Sequence, residues 1–136
     1  MKELNPKISN TTALAYMGDA VYEIYIRKYV LTTGRASVDK LTGKTISFVR
    51  ADSQAGAIRE MVKRGFLSDE EAALVRRARN HTNTSRPRGS TAVAYKWATG
   101  FEALLGYLYL KDDRRRLDEV IKKAIEITEE REQHHE

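Results

Sequence analysis

The chain has 136 residues, contains no cysteine and carries a formal net charge of +5 at pH 7. This length suits one domain, 1–136, with a core of its own, and the missing cysteine excludes disulfides and thiolate metal sites, in agreement with a reducing cytoplasm. The N-terminal segment lacks the apolar run of a signal peptide, and charged residues interrupt every long apolar stretch. We therefore expect a cytoplasmic protein with no membrane-spanning segment.

Apolar residues recur at intervals of three and four along nearly the whole chain, which predicts an all-α fold without strands. The expected helices, in chain order, cover about 10–31, 38–41, 45–64, 69–79 and 91–110, followed by a last helix that begins after Asp112 or Asp113. Asn10, Thr11 or Thr12 can cap the first of them. The one substantial loop is expected at 80–90.

Local signals support several of these boundaries. Ser68 and Glu71 have the spacing of a capping box, and Gly65 is a typical residue after the end of a helix. The last helix shows the clearest amphipathic spacing, although 126–136 is expected to be a charged, frayed helix end, with about 130–136 as a charged tail. Core contacts of the helix at 45–64 are predicted to be Ile46, Val49, Ile58, Met61 and Val62.

Two acidic residues lie in apolar surroundings, Asp19 in the first helix and Glu102 in the fifth. An unpaired carboxylate in a low-dielectric environment is costly, so such groups are kept mainly where a cation, hydrogen bonds or chemistry compensates. One metal ion bound by both carboxylates would compensate the charge of each. The alternative is that each side chain simply points to water. Gly18, Gly100 and Gly106 flank the acids, and their cost inside a helix indicates the close approach of another helix or of a ligand.

On the first helix Asp19, Glu23 and Arg27 are four residues apart and form one stripe. Glu23 and Arg27 form a favourable pair, whereas Asp19 and Glu23 are like charges one turn apart. The stripe is either a solvated polar face or part of a site in which Asp19 is a metal ligand and Glu23 assists.

The positive charge is concentrated, because residues 72–101 contain no Asp or Glu at all. Such a segment is typical of phosphate binding, although a basic loop without a ligand would look the same. Trp97 and Tyr95 are predicted to be core rather than stacking residues, and Tyr16 to be a core or dimer contact. The candidate residues of this segment for phosphate contacts, and for RNA contacts if the phosphates belong to a nucleic acid, are Arg76, Arg77, Arg79, Asn80, Arg86, Arg88 and Lys96.

Two motifs resemble a known family. Residues 18–21, Gly-Asp-Ala-Val, are similar to the signature helix of the ribonuclease III family, and residues 101–106, Phe-Glu-Ala-Leu-Leu-Gly, are similar to its second acidic helix. Segments 14–20, 53–55, 77–80 and 99–108 resemble its compact branch, Mini-ribonuclease III, which has no double-stranded-RNA-binding domain. Ordinary members have further acids where this chain has Thr12, Ala15 and Thr99, and the compact branch is similarly reduced.

The resemblance implies a magnesium-dependent endoribonuclease that cleaves double-stranded RNA as a homodimer and leaves 5′-phosphate and 3′-hydroxyl ends. It makes Asp19 and Glu102 the catalytic residues and the ligands of Mg²⁺. It further implies maturation of the ends of the large-subunit (23S) ribosomal RNA precursor, and it leaves open whether a large-subunit ribosomal protein presents that RNA.

Two other functions are compatible with parts of the sequence. A catalytically silent relative that binds RNA as a scaffold would keep the basic segment, but it would not need the paired Asp19 and Glu102. A helical protein-interaction module without an RNA function would have no need of a long segment free of acids. The first helix carries more apolar surface than one core-facing stripe requires, which favours a homodimer formed through it.

Overall fold

A computed structural model of the chain describes residues 4–5, 10–34, 37–81 and 91–134. These ranges contain helices and no strand, which confirms the predicted all-α class. No helix in them is both long and apolar enough to cross a membrane. The elements are α1 (Thr11–Leu31), α2 (Val38–Val49), α3 (Ala51–Lys63), α4 (Asp69–Asn80), α5 (Ala92–Leu110) and α6 (Arg114–His134).

Several helices begin where the sequence predicts. The Asn10 side chain accepts a hydrogen bond of 2.7 Å from the backbone N–H of Ala13, so Asn10 caps α1. Ser68 and Glu71 form both hydrogen bonds of the predicted capping box at the start of α4. Asp113 accepts a hydrogen bond from the backbone N–H of Arg116 and so caps α6, whereas Asp112 adopts a positive φ of 63° in the turn before it.

The predicted division between the second and third helices is wrong. The second helix extends through Val49, and Arg50, with ψ at 151°, separates it from α3. Because the chain changes direction there, the predicted core stripe is split: Ile58 and Met61 are buried, Val49 is half-buried, and Ile46 and Val62 are exposed. Phe48, which the sequence analysis did not include, is buried in their place. The break carries neither glycine nor proline.

The expectation of a frayed helix end over 126–136 is also wrong for its described part, 126–134, which is helical. Glu130 accepts a hydrogen bond of 2.9 Å from Arg64, the residue that caps the end of α3, and Glu132 lies 3.6 Å from Lys44 of α2. Arg131 lies across α3 above Gly56, where a Cβ atom would be 2.6 Å from its guanidinium carbon. The last two turns are therefore docked against α2 and α3.

Helix α5 is the centre of the fold and packs against α1, α3, α4 and α6. Its buried residues include Phe101, Leu104 and Leu105, and the Phe101 ring meets the edge of the Tyr22 ring of α1 at 4.9 Å. The α1–α5 contact is backbone to backbone. A Cβ atom on Gly18 would overlap the carbonyl oxygen of Glu102, and one on Gly106 would overlap that of Leu14. The predicted close approach of a helix at these two glycines is confirmed.

The side of α1 that faces away from α5 carries three exposed apolar residues beside the exposed Arg27, and none of the described residues covers it. Tyr16 is 80% exposed, Ile24 is 66% exposed and Leu31 is 64% exposed. They follow one another at helical spacing and so form a single stripe, to which the exposed Val38 and Ile46 of α2 add apolar surface. Tyr16 is therefore not a core residue, and the dimer contact remains its open alternative.

Candidate active site

The two acidic residues singled out by the sequence meet where α1 crosses α5. Asp19 directly follows Gly18, and the backbone of Gly18 lies against the carbonyl group of Glu102. With no side chain between the helices at this point, the two carboxyl groups come within hydrogen-bonding contact. The same contact explains why a glycine precedes Asp19.

The two acids have different environments. Asp19 is exposed, which is what the simpler alternative expected, whereas Glu102 is half-buried between α1 and α3. Burial raises the pKa of Glu102 to about 8, and Asp19 contributes to this rise through charge repulsion and a hydrogen bond. The hydrogen bond from Gln54 lowers the pKa in part. At neutral pH the pair therefore retains a proton that a bound cation would displace.

Gln54 is the site residue to which the sequence analysis assigned no role. Its side chain is 2% exposed, and its Nε2 donates to the Val49 carbonyl at 2.7 Å and to Glu102 Oε2 at 3.4 Å. Its Oε1 is buried and has no hydrogen-bond partner in the described residues. One signal was available: Gln54 lies on the same helical stripe as Ile58 and Met61, where a polar side chain needs a partner inside the fold.

The donor set suits a hard cation that keeps much of its water. In the described residues no three His, Asp or Glu side chains lie close enough together to form a metal site. Glu23 instead pairs with Arg27 at 3.2 Å, as the stripe predicts, and its Oε2 is buried without a partner in these ranges. Magnesium is commonly held by one or two carboxylates, with water and substrate phosphates as its other ligands. The pair Asp19 and Glu102 fits that pattern.

The reduced positions contribute no further ligand to this pair. Thr12 is exposed, Ala15 is buried and apolar, and Thr99 donates its hydroxyl to the Tyr95 carbonyl at 3.0 Å. The chain offers two carboxylates at this crossing where the sequence pattern of ordinary ribonuclease III would offer more.

Residues 12–113 match the family model described as the ribonuclease III domain, and the match includes both Asp19 and Glu102. The chain belongs to the ribonuclease III family. Its function is therefore that of an endoribonuclease. A Mini-ribonuclease 3 from Clostridium tetani is 42% identical over 96% of this chain and 82% of its own length. Another from Streptococcus pneumoniae is 32% identical over 93% of this chain and 98% of its own length. The predicted resemblance to the compact branch is confirmed.

A solved structure supports the same fold for this ribonuclease III domain. The X-ray structure of a protein from Fusobacterium nucleatum superimposes with a TM-score of 0.77 at 29% sequence identity. The alignment covers 88% of this chain and 94% of the other.

The predicted RNA-binding residues that the structure of this ribonuclease III domain describes lie at the end of α4 and the start of α5. Arg76, Arg77 and Asn80 are exposed, and Asn80 accepts a hydrogen bond from Arg79 at 3.4 Å. Lys96 is half-buried in the second turn of α5. Arg86 and Arg88 lie outside the described residues.

Trp97 and Tyr95 are half-buried, so the prediction that they belong to the core is confirmed only in part. Trp97 packs against the core, yet its ring also carries two cations. The guanidinium carbons of Arg79 and Arg59 lie 4.4 Å and 5.6 Å from its centre.

Proposed function

We propose that this endoribonuclease is magnesium-dependent and cleaves double-stranded RNA, using Asp19 and Glu102 as the protein ligands of the metal. The observation that carries the proposal is the meeting of these two carboxyl groups at the Gly18 crossing. Two carboxylates drawn from separate helices at one point, in a chain without cysteine, favour hydrolysis assisted by a hard cation.

Bound magnesium would supply a water activated for attack on the phosphodiester and positive charge to stabilise the leaving oxygen. Asp19 would hold the metal from the solvent side, and Glu102 from the protein side. Gln54 would keep Glu102 in one orientation through its Nε2 hydrogen bond. The shape of the site would depend on α1 and α5 remaining in backbone contact.

Specificity for duplexes is supported by the character of the basic residues. An A-form duplex presents phosphates and 2′-hydroxyl groups rather than an accessible major groove, and arginines with small polar residues suit such contacts. Arg76, Arg77 and Asn80 provide them at the end of α4. We include Arg86 and Arg88 in this surface on the basis of the sequence alone.

We further propose that the enzyme works as a homodimer joined through the exposed apolar stripe of α1. Cleavage of both strands of a duplex needs two sites related by a two-fold axis, and Tyr16, Ile24 and Leu31 offer apolar surface for an isologous contact. Glu23 would then lie beside the interface, where it remains a candidate helper of Asp19.

The proposed natural substrate is the 23S ribosomal RNA precursor, matured at its ends in the cytoplasm, with 5′-phosphate and 3′-hydroxyl products. A large-subunit ribosomal protein that presents the RNA is part of this proposal. It is supported by the similarity to Mini-ribonuclease 3 proteins over nearly the whole chain.

The experiment is cleavage of a base-paired precursor stalk, with a single strand of the same sequence as comparison, with and without Mg²⁺. Asp19→Asn and Glu102→Gln keep the shape of the side chains but remove metal-binding charge, so each should reduce cleavage at least about a thousandfold while RNA binding persists. Asp39→Asn, at an exposed acid of α2, is the matched control and should cleave normally. Near-native cleavage by either site variant at saturating Mg²⁺ would contradict the assignment. Binding without cleavage by the unmodified chain would favour a scaffold.

A further inference from the structure

A second charged cleft lies between α3, the start of α5 and the end of α6. Its volume is about 720 Å³. Arg59 and Lys63 line it from α3, Arg131 from α6, and Ala94 and Trp97 from α5. None of the three cations belongs to the segment that the sequence analysis assigned to RNA.

The cleft has unbalanced positive charge. Its two acids, Asp52 and Glu60, are each paired with a cation outside the lining, Arg50 at 3.5 Å and Arg64 at 3.0 Å. By contrast, Arg59, Lys63 and Arg131 have no acidic partner within 4.0 Å among the described residues. A polyanion entering the cleft would therefore meet cations whose charge is not already neutralised.

Two of these cations are held by uncharged groups. The guanidinium group of Arg59 lies near the Trp97 ring, whose centre is also 4.4 Å from the guanidinium carbon of Arg79. Arg131 rests on the backbone of Gly56, because that glycine leaves the space that a Cβ atom would occupy. Contacts of this kind fix the position of a guanidinium group and leave its N–H donors for phosphate oxygens.

The cleft is distinct from the crossing that holds Asp19 and Glu102. Trp97 precedes Glu102 by five residues, which places the two side chains about 140° apart around α5 and about 7.5 Å apart along it. The α1-facing side of α5 carries Glu102, and the side between α3 and α4 carries Trp97 with Arg59 and Arg79.

We propose that this cleft is a second phosphate-binding surface for the RNA substrate, with Arg59 and Arg131 as its principal contacts. The proposal rests on the proposed function and adds a contact to it. Backbone phosphates fit the cleft because planar guanidinium groups bind phosphate oxygens in pairs. The surface would position a duplex without reading its sequence.

The test measures binding of a blunt RNA duplex in the Asp19→Asn background, which keeps the RNA intact. Arg59→Gln and Arg131→Gln are compared singly and together with Arg115→Gln, a control at an exposed arginine of α6 that makes the same change in charge. Dissociation constants are measured across a range of KCl concentrations. Each cleft variant should reduce the log–log salt slope by roughly one, and the double variant should weaken binding by about tenfold or more near physiological salt.

A second measurement separates this proposal from the proposed function. With Asp19 intact and Mg²⁺ present, the double variant should raise KM while kcat stays within about twofold, because neither arginine is placed at the metal. If the double variant binds RNA as tightly as Arg115→Gln, with the same salt slope and with normal cleavage, the cleft proposal alone is overturned. An unmodified chain that binds no duplex RNA would overturn both.

Discussion

Glu102 should make the metal-free protein less stable as the pH rises. Its pKa is about 8 in the fold and 4.5 as an ordinary glutamate, so between these values the native state holds a proton that the unfolded chain has lost. The contribution to stability is complete below pH 4.5 and is lost as the pH rises towards 8. At pH 8 the charged Glu102 carboxylate therefore destabilises the fold, and Glu102→Gln removes that charge. In EDTA at pH 8 the variant should have a free energy of unfolding roughly 1 kcal/mol above that of the parent, a modest gain because part of the side chain is in water, and it should melt at a higher temperature.

Thermal melts of the two proteins between pH 4 and 9 provide the measurement. The difference in melting temperature should vanish near pH 4, where both side chains are uncharged. A constant difference across the range would show that the Glu102 carboxyl group is not perturbed. Titrating groups away from the α1–α5 crossing are common to both proteins and cancel in the comparison.

Gln54 should matter for catalysis more than for folding. Gln54→Met keeps most of the buried volume but loses the hydrogen bonds to Val49 and Glu102. Groups that orient a metal ligand typically account for 10- to 100-fold in affinity or activity, so we expect about a tenfold loss of Mg²⁺-dependent cleavage. The matched control is Ser53→Ala, which loses a hydrogen bond to the Ser47 carbonyl at the same α2–α3 junction. If Gln54→Met and Ser53→Ala lose the same activity and have the same melting temperature, Gln54 has only a structural role.

At the level of helices, the glycines of the α1–α5 crossing should be intolerant of any side chain. Gly18→Ala and Gly106→Ala each place a Cβ atom on a backbone carbonyl, so we expect a loss of about 3 kcal/mol or more in the free energy of unfolding. Gly43→Ala in α2 is the control, because nothing lies within 4 Å of its added Cβ. That change should stabilise the protein by up to about 1 kcal/mol. Chemical denaturation measures all three, and a tolerated Gly18→Ala would contradict the described crossing.

Local signals predicted the helices well wherever a boundary depends on neighbouring residues. Asn10, Ser68 and Asp113 cap helices through residues three positions away, so the sequence alone reveals them. The break at Arg50 was missed because apolar spacing continues on both sides of it without glycine or proline. The end of α6 was misjudged because its partners, Lys44 and Arg64, are more than sixty residues away.

The same difference between local and long-range signals holds at the candidate site. Asp19 and Glu102 could be singled out as candidates because a lone acid in an apolar segment needs an explanation whatever its partner is. Their mutual contact could not be derived from spacing alone, since it depends on the angle at which α1 crosses α5. Gln54 was missed for this reason, as its role becomes visible only when α3 is placed beside Glu102.

For the whole molecule, the exposed stripe of α1 predicts a dimer that one charge can disrupt. Ile24→Glu places a carboxylate in the middle of the apolar stripe and should give a monomer in sedimentation at micromolar concentration, with little cleavage of both strands. Tyr109→Glu is the control, because Tyr109 is an exposed apolar residue of α5 and does not belong to the stripe. A parent that sediments as a monomer with full activity would be incompatible with this arrangement.

The contact between α1 and α5 also limits how the sequence can vary. At Gly18 and Gly106 the opposing atoms are backbone carbonyls, which every amino acid possesses. No replacement on the facing helix can remove them. A second mutation therefore cannot compensate for a side chain at these two sites, although compensation is how packed positions commonly change. Both glycines should therefore persist in lineages where the surrounding core changes freely, and they would mark the crossing even in relatives too divergent to align elsewhere.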